Sequence, residues 1–182
     1  MNSNEEIIGV RQAWKPYNHL WQEMEIPPKT ILLKEGAIAR KLYYIVKGSV
    51  RMWFYHDGKE ISFQFFFESE VVHAVESFRK QVPCAYSIET MEHSIVKWIS
   101  KEDLDRAVEA TPFLKKYSSD WAIEKQSEFI RHFFSFLKDT PLQRYKNLLN
   151  QNPEIVKRVP LKYIASYLGI TDVSLSRIRN KI

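Results

Sequence analysis

The sequence predicts an α+β chain, with its strands gathered in one block and its helices in another. Between residues 30 and 99, short β-branched and aromatic runs alternate with turn signals. From Lys101 onward the apolar residues instead recur at three- and four-residue steps. The charge follows the same division. The formal net charge is +5. From residue 139 to the end stand eight basic residues (Arg144, Lys146, Lys157, Arg158, Lys162, Arg177, Arg179 and Lys181) against three acidic ones (Asp139, Glu154 and Asp172). The whole excess therefore sits in the last quarter, while the first 138 residues balance.

Taken in order, residues 1–25 read as helical, with Trp14, Leu20 and Trp21 as apolar anchors and Pro27-Pro28 as the stop. Strand-like runs follow at Thr30–Leu33, Leu42–Val46, Val50–Tyr55, Ile61–Phe67, Ala85–Glu89 and Ser94–Ile99. Glu35-Gly36, Lys47-Gly48 and Asp57-Gly58 punctuate them. Asp57-Gly58 between two such runs is a hairpin signal, because both residues tolerate positive φ. Many short strands at this spacing indicate a barrel or a sandwich.

The helical half opens at Lys101–Ala110, with Ser100 as N-cap and Asp103 in the box position. After Thr111-Pro112 a long helix is predicted over Phe113–Lys138. Its stripe, which includes Leu114, Tyr117, Trp121 and Phe134, suits either burial against the strands or a seam with a second copy. Asp139-Thr140-Pro141 ends this helix and starts the next, which places a domain boundary at residue 139.

The last segment carries the most information. Pro160 opens a helix whose inward face is Ile164, Ala165 and Leu168. Gly169 can take the left-handed conformation, Ile170 forms an apolar plug, and Thr171 caps a second helix. In that helix Leu175, Ile178 and Ile182 form one stripe, while Val173, Arg177 and Asn180 or Lys181 lie opposite. A small residue at Ala165 lets two helices cross closely through a short turn, as in a helix-turn-helix whose second helix enters the DNA major groove. An ordinary helical hairpin closing a bundle is the plain alternative. The basic outer face, with Arg177, Arg179 and Lys181, and the local positive charge favour DNA, since phosphate contact needs cations.

Composition narrows the remaining classes. At 45% hydrophobic and 27% charged residues, the chain reads as globular. No apolar run approaches the roughly 20 residues of a membrane span. Met1–Val10, with Glu5 and Glu6, lacks the pattern of a signal peptide. A single cysteine, Cys84, fits a reducing compartment, so a cytoplasmic protein without membrane contact is predicted. The five histidines show no ligand spacing, which predicts no metal. No nucleophile–base set or phosphate loop is recognisable, so neither an enzyme nor a cofactor is expected. Glu68 and Glu70 share a strand face, but no partner chemistry accompanies them.

Two motifs carry a family resemblance. Lys34-Glu35-Gly36 is followed by Leu42-Tyr43-Tyr44-Ile45-Val46-Lys47-Gly48-Ser49-Val50. Farther on come Ile164-Ala165-Ser166-Tyr167-Leu168-Gly169-Ile170-Thr171 and Ser174-Leu175-Ser176-Arg177-Ile178-Arg179, preceded by Arg144-Tyr145. Over roughly residues 10–182 the chain resembles the Crp/Fnr family of bacterial transcription regulators. The resemblance implies a β-roll of the double-stranded β-helix or jelly-roll type that senses an effector (residues 1–138). It implies a dimerisation helix at about 113–138 and a helix-turn-helix DNA-binding domain at 139–182. A homodimer on a palindromic double-stranded operator follows, with RNA polymerase as a further partner and an effector that the sequence does not name.

The resemblance also sets the candidate sites. The DNA contacts are Lys162, Thr171, Asp172, Val173, Ser174, Ser176, Arg177, Asn180 and Lys181. The effector pocket is assigned to Phe65, Val72, His73, Ala74, Pro83 and Cys84. Relatives that bind cyclic nucleotides use a Gly-Glu pair for the ribose and an Arg-Ser or Arg-Thr pair for the phosphate. The aligned pairs here are His73-Ala74 and Pro83-Cys84, and the nearest cations, Arg79 and Lys80, fall in an expected loop. The sensor is therefore expected not to hold cyclic AMP by the usual contacts. The reading from another class is a small-molecule-binding β-roll module whose helical tail only packs or dimerises.

Overall fold

The computed structural model describes residues 3–181; Met1, Asn2 and Ile182, the last member of the predicted apolar stripe, lie outside the described residues. The chain opens with α1 (Ser3–Trp14) and a 3₁₀ segment, Lys15–Leu20. It then enters strand β1 (Gln22–Ile26), where the sequence suggested more helix. The reason is visible in the strand itself. Only Ile26 is buried, so β1 offers almost no apolar alternation to read. Its position is fixed from outside, by antiparallel pairing with a strand more than 60 residues later, where Glu23 faces Lys97.

The remaining strands are β2 (Ile31–Leu33), β3 (Lys41–Lys47), β4 (Val50–His56), β5 (Lys59–Phe66), β6 (Val71–Val72), β7 (Ser87–Thr90) and β8 (Ser94–Ser100). They form two four-stranded antiparallel sheets, ordered β1-β8-β3-β6 and β2-β7-β4-β5. The β4–β5 hairpin closes through Asp57 and Gly58, at φ 47° and 76°, between the paired His56 and Lys59. Those values are the two left-handed residues that a tight hairpin turn requires. Side chains such as Ile45, Val50, Ile88, Val96 and Ile99, each at most 1% exposed, fill the space between the sheets. Helix α2 (Val75–Lys80), which the sequence reading did not separate from a loop, buries Phe78 in the core of the roll.

Helix α3 (Lys101–Ala110) begins as expected, with the Ser100 hydroxyl accepting from the Asp103 N–H. Helix α4 (Pro112–Lys138) then runs 27 residues, or about 40 Å at 1.5 Å per residue. One side of α4 meets its own chain. There Leu114 is buried, Trp121 stacks on His73 at 5.2 Å, and His132 stacks on Tyr167 at 4.1 Å. Tyr117 is half-buried on the same side. The other side exposes Ile123, Ile130, Phe133, Phe134 and Leu137. Of the apolar residues that suited either role, Leu114, Tyr117 and Trp121 thus face inward, whereas Phe134 faces out.

The backbone is extended at Asp139 and Thr140, and a capping box of Thr140 and Gln143 starts α5 (Pro141–Gln151). Helices α6 (Pro153–Arg158), α7 (Leu161–Tyr167) and α8 (Asp172–Arg179) complete the chain. They build a second core around Ile164, Leu168 and Leu175. Among the described residues no helix is long and apolar enough to cross a membrane.

Candidate nucleic-acid interface

The turn between α7 and α8 is built by local chemistry. Gly169 has φ +65°, the Gly169 N–H reaches the Ser166 carbonyl at 3.0 Å, and the Ile170 N–H reaches the Ala165 carbonyl at 3.0 Å. This pair of bonds is the Schellman ending, which satisfies carbonyls that a helix end otherwise strands. Glycine is needed here for space as well as for φ, because a Cβ would lie 2.7 Å from the Phe136 ring. Thr171 then caps α8: its hydroxyl accepts from the Ser174 N–H at 3.2 Å. Asp172 stands in the first turn, where a carboxylate complements the helix dipole. Ala165, at 1% exposure, lies under the crossing with buried Leu175.

These caps orient one face of α8 outward. Val173, Ser176, Arg177 and Asn180 are all exposed, and their steps of three and four place them in one stripe. Lys181 is exposed beyond them, and Lys162 is exposed on α7 with its Nζ 4.7 Å from the Tyr163 ring centre. Thr171 and Ser174, both named as candidate contacts, bind each other at 2.9 Å and build the cap. The outward stripe presents a guanidinium, an amide, a hydroxyl and one apolar group. That is a donor–acceptor set able to read base edges.

Sequence reasoning missed how firmly the C-terminal helices dock on the roll. Arg158 makes two bonds to Glu68, at 2.7 and 2.8 Å, and a third to Glu92 at 2.5 Å. The Arg158 guanidinium holds the Glu68 carboxyl down at about 2. Glu70 bonds the Phe67 N–H at 2.8 Å and Lys125 at 3.2 Å. The two carboxylates, expected on one strand face, lie instead in the turn between β5 and β6, and each holds its own cation. Arg51, at 1% exposure, bonds Glu89 at 2.7 Å, Glu60 at 2.6 Å and Ser62 at 3.3 Å, and lies 3.7 Å from the Tyr163 ring centre. The Ser62 N–H donates to the Ser166 hydroxyl at 3.1 Å. Arginine 51 could not be singled out in advance, since a strand charge usually points to water.

The predicted effector-pocket residues scatter. A cavity of about 200 Å³ lies in the roll, lined in part by Leu32, Ile38, Arg40, Lys41, Tyr43 and Ala74. Ligand pockets generally run from about 300 to 1,000 Å³. Of the six residues only Ala74 lines this cavity. Val72 and Cys84 are core side chains, and burial pushes the Cys84 thiol up, away from reactivity. Pro83 is exposed and bridges Ile38. His73 lies against Trp121 and Phe78, and burial, with Arg79 adding to it, pushes its imidazole down to about 4. Phe65 points away from the roll: it packs in the core of the C-terminal helices, 5.2 Å from the Tyr167 ring. The strand's pleat turns it to the face that α7 covers, where it lines a second cavity of about 640 Å³ together with Lys125, His132 and Arg144. The cations nearest the cavity are Arg40 and Lys41, whereas Arg79 and Lys80 are exposed at the end of α2.

Comparisons with known proteins fit this architecture. The family model of the cyclic nucleotide-binding domain matches residues 23–111. No curated protein sequence matches the chain. Among solved structures, FixK2 from Bradyrhizobium japonicum is similar at 17% identity and TM-score 0.76, over 88% of this chain and 83% of that one. The c-di-GMP responsive global regulator CLP of Xanthomonas campestris is 19% identical at TM-score 0.72, over 94% and 90% of the two chains. A Crp/Fnr-family protein from Eubacterium rectale is 14% identical at TM-score 0.74, over 93% and 82%. Residues 23–111 match the cyclic nucleotide-binding domain, and the chain as a whole shares the fold of these Crp/Fnr-type structures.

Proposed function

We propose that this chain is a sequence-specific DNA-binding regulator of transcription, acting as a cytoplasmic homodimer. In this reading residues 1–138 sense, with the dimerisation helix at about 113–138, and residues 139–182 bind DNA. The observation that carries it is the outward stripe of α8, with Arg177 between Val173 and Asn180 on a helix fixed by the Gly169 turn. The candidate contacts are Lys162, Asp172, Val173, Ser176, Arg177, Asn180 and Lys181, with Thr171 and Ser174 setting the start of the helix. The seam between copies is the exposed stripe of α4, Ile123, Ile130, Phe133, Phe134 and Leu137. Two-fold symmetry then implies a palindromic operator. RNA polymerase is the further partner that regulation at a promoter implies. The roll does not take cyclic AMP by the usual contacts, because its cavity is small and neither a ribose-binding carboxylate nor an arginine stands at the aligned positions.

The docking of α7 on β5 also suits the second reading, in which the tail only packs against a small-molecule-binding roll. Retention of random duplex fragments on the purified chain, followed by sequencing, separates the two. The first reading predicts an enriched palindromic motif and binding that weakens steeply with salt. Recovery of unselected sequence, or of no DNA, favours the second.

A further inference from the structure

We propose that Val173 reads a thymine through its C5-methyl group, so that each half-site carries a thymine and a guanine about two base pairs apart. The inference rests on the DNA-binding reading above. Val173 is 59% exposed in the first turn of α8. The other large exposed apolar residues of the second half cluster mostly on α4, and Val173 stands apart from them. Its companions on the stripe are Ser176, Arg177 and Asn180, so it belongs to no apolar patch that another protein surface would cover. A β-branched side chain also costs helix propensity relative to alanine, and at 59% exposure it gains little packing within the chain in return.

The major groove offers one apolar group to such a side chain. Thymine alone presents a methyl there, whereas adenine, guanine and cytosine present donors or acceptors. Valine has neither donor nor acceptor. Against the other bases it would strip water from a polar edge and return nothing, so it selects by exclusion as well as by contact. Because its χ1 is nearly fixed in a helix, it gives up little freedom on docking. Arg177 lies one turn farther along the same stripe, and a guanidinium pairs with both acceptors of guanine. Four residues of helix span about 6 Å, close to two base-pair steps of 3.4 Å.

The test uses the full chain and the duplex it enriches from random sequence. The thymine at the assigned position is replaced by deoxyuridine in both half-sites, which deletes only the methyl. Affinity for each duplex is measured by fluorescence anisotropy with the parent and with Val173→Ala. A lost methyl contact should weaken parent binding roughly fourfold per half-site and about fifteenfold for the pair. Val173→Ala should lose as much on the thymine duplex and then be indifferent to deoxyuridine. Val173→Glu should shift the preferred pair at that position toward cytosine, whose amino group a carboxylate accepts. Parent affinities within twofold on the two duplexes overturn the assignment, as does a thymine preference that Val173→Ala retains. Failure to enrich any duplex overturns the DNA-binding reading itself, and the inference with it.

Discussion

Replacing Arg51 by methionine should destabilise the protein more than any single surface change. The Arg51 side chain is 1% exposed and bonds Glu89, Glu60 and Ser62 beneath the Tyr163 ring. Methionine keeps the volume of the stem but leaves Glu89, itself 8% exposed, without a cation. Breaking a buried pair from one side costs about 3–5 kcal/mol, most of it the stranded charge. A Coulomb estimate agrees, at about 4 kcal/mol for unit charges 4 Å apart with an effective dielectric constant of 20. Loss of the Tyr163 contact adds about 1 kcal/mol. Glu60, whose side chain is 39% exposed, stays solvated and adds little. The assay is urea unfolding at pH 7 with a shared slope for all variants. Arg51→Met should lie about 4–6 kcal/mol below the parent, and Arg51→Met/Glu89→Met should recover to within about 1 kcal/mol of it, because removing both charges removes the desolvation cost and leaves only the lost Tyr163 contact. An Arg51→Met variant within about 1 kcal/mol of the parent, or a double variant that merely adds the two losses, would refute the role given to the buried Arg51–Glu89 pair.

Other predictions concern assembly, pH and ligand. Ile130→Glu or Phe134→Glu should turn a micromolar dimer into a monomer in sedimentation while leaving the fold intact; Trp121→Glu, which breaks the stack on His73, should instead lower thermal stability. Burial holds both His73 and His132 down at about 4, with Arg79 and Arg144 respectively adding to the effect. Unfolded imidazoles bind protons below about 6.5. Their stabilising contribution is therefore complete above pH 6.5, declines as pH falls toward 4, and is constant below that. His132→Phe should flatten the stability profile in that window, whereas Glu68→Gln should flatten it only from about 4.5 down to 2. Cyclic AMP at millimolar concentration should give no calorimetric heat and no thermal stabilisation; micromolar binding abolished by Arg40→Ala would show that the roll cavity opens to hold a phosphate.

What the sequence made legible was whatever local chemistry decides. Asp57-Gly58, Ser100, Thr140-Pro141, Gly169 and Thr171 each mark an element boundary, and the structure uses each as a turn or cap. The α7–α8 crossing was readable for the same reason, since its small, capping and left-handed residues lie within a few positions of one another. What stayed hidden depends on contacts between distant residues. Strand β1 is defined by a partner far along the chain, Phe65 by the helix that covers it, and Arg51 by two carboxylates from different strands. The face of α4 was ambiguous because both sides carry aromatic residues, and only the roll's position divides them. Phe65 turned out to face α7 because alignment to a family gives an order of residues, not the direction in which a pleated strand turns them.

Whether α8 reads DNA is decided by binding of an enriched operator to the parent and to Arg177→Ala across a salt series. Arg177→Ala should lose about 1–3 kcal/mol on the operator and discriminate less among bases. Lys162→Ala should instead weaken all duplexes alike and reduce the salt slope by about one. Operator affinity unchanged in Arg177→Ala, or a parent protein with no salt-dependent DNA binding, would contradict the assignment of α8 as the reading helix.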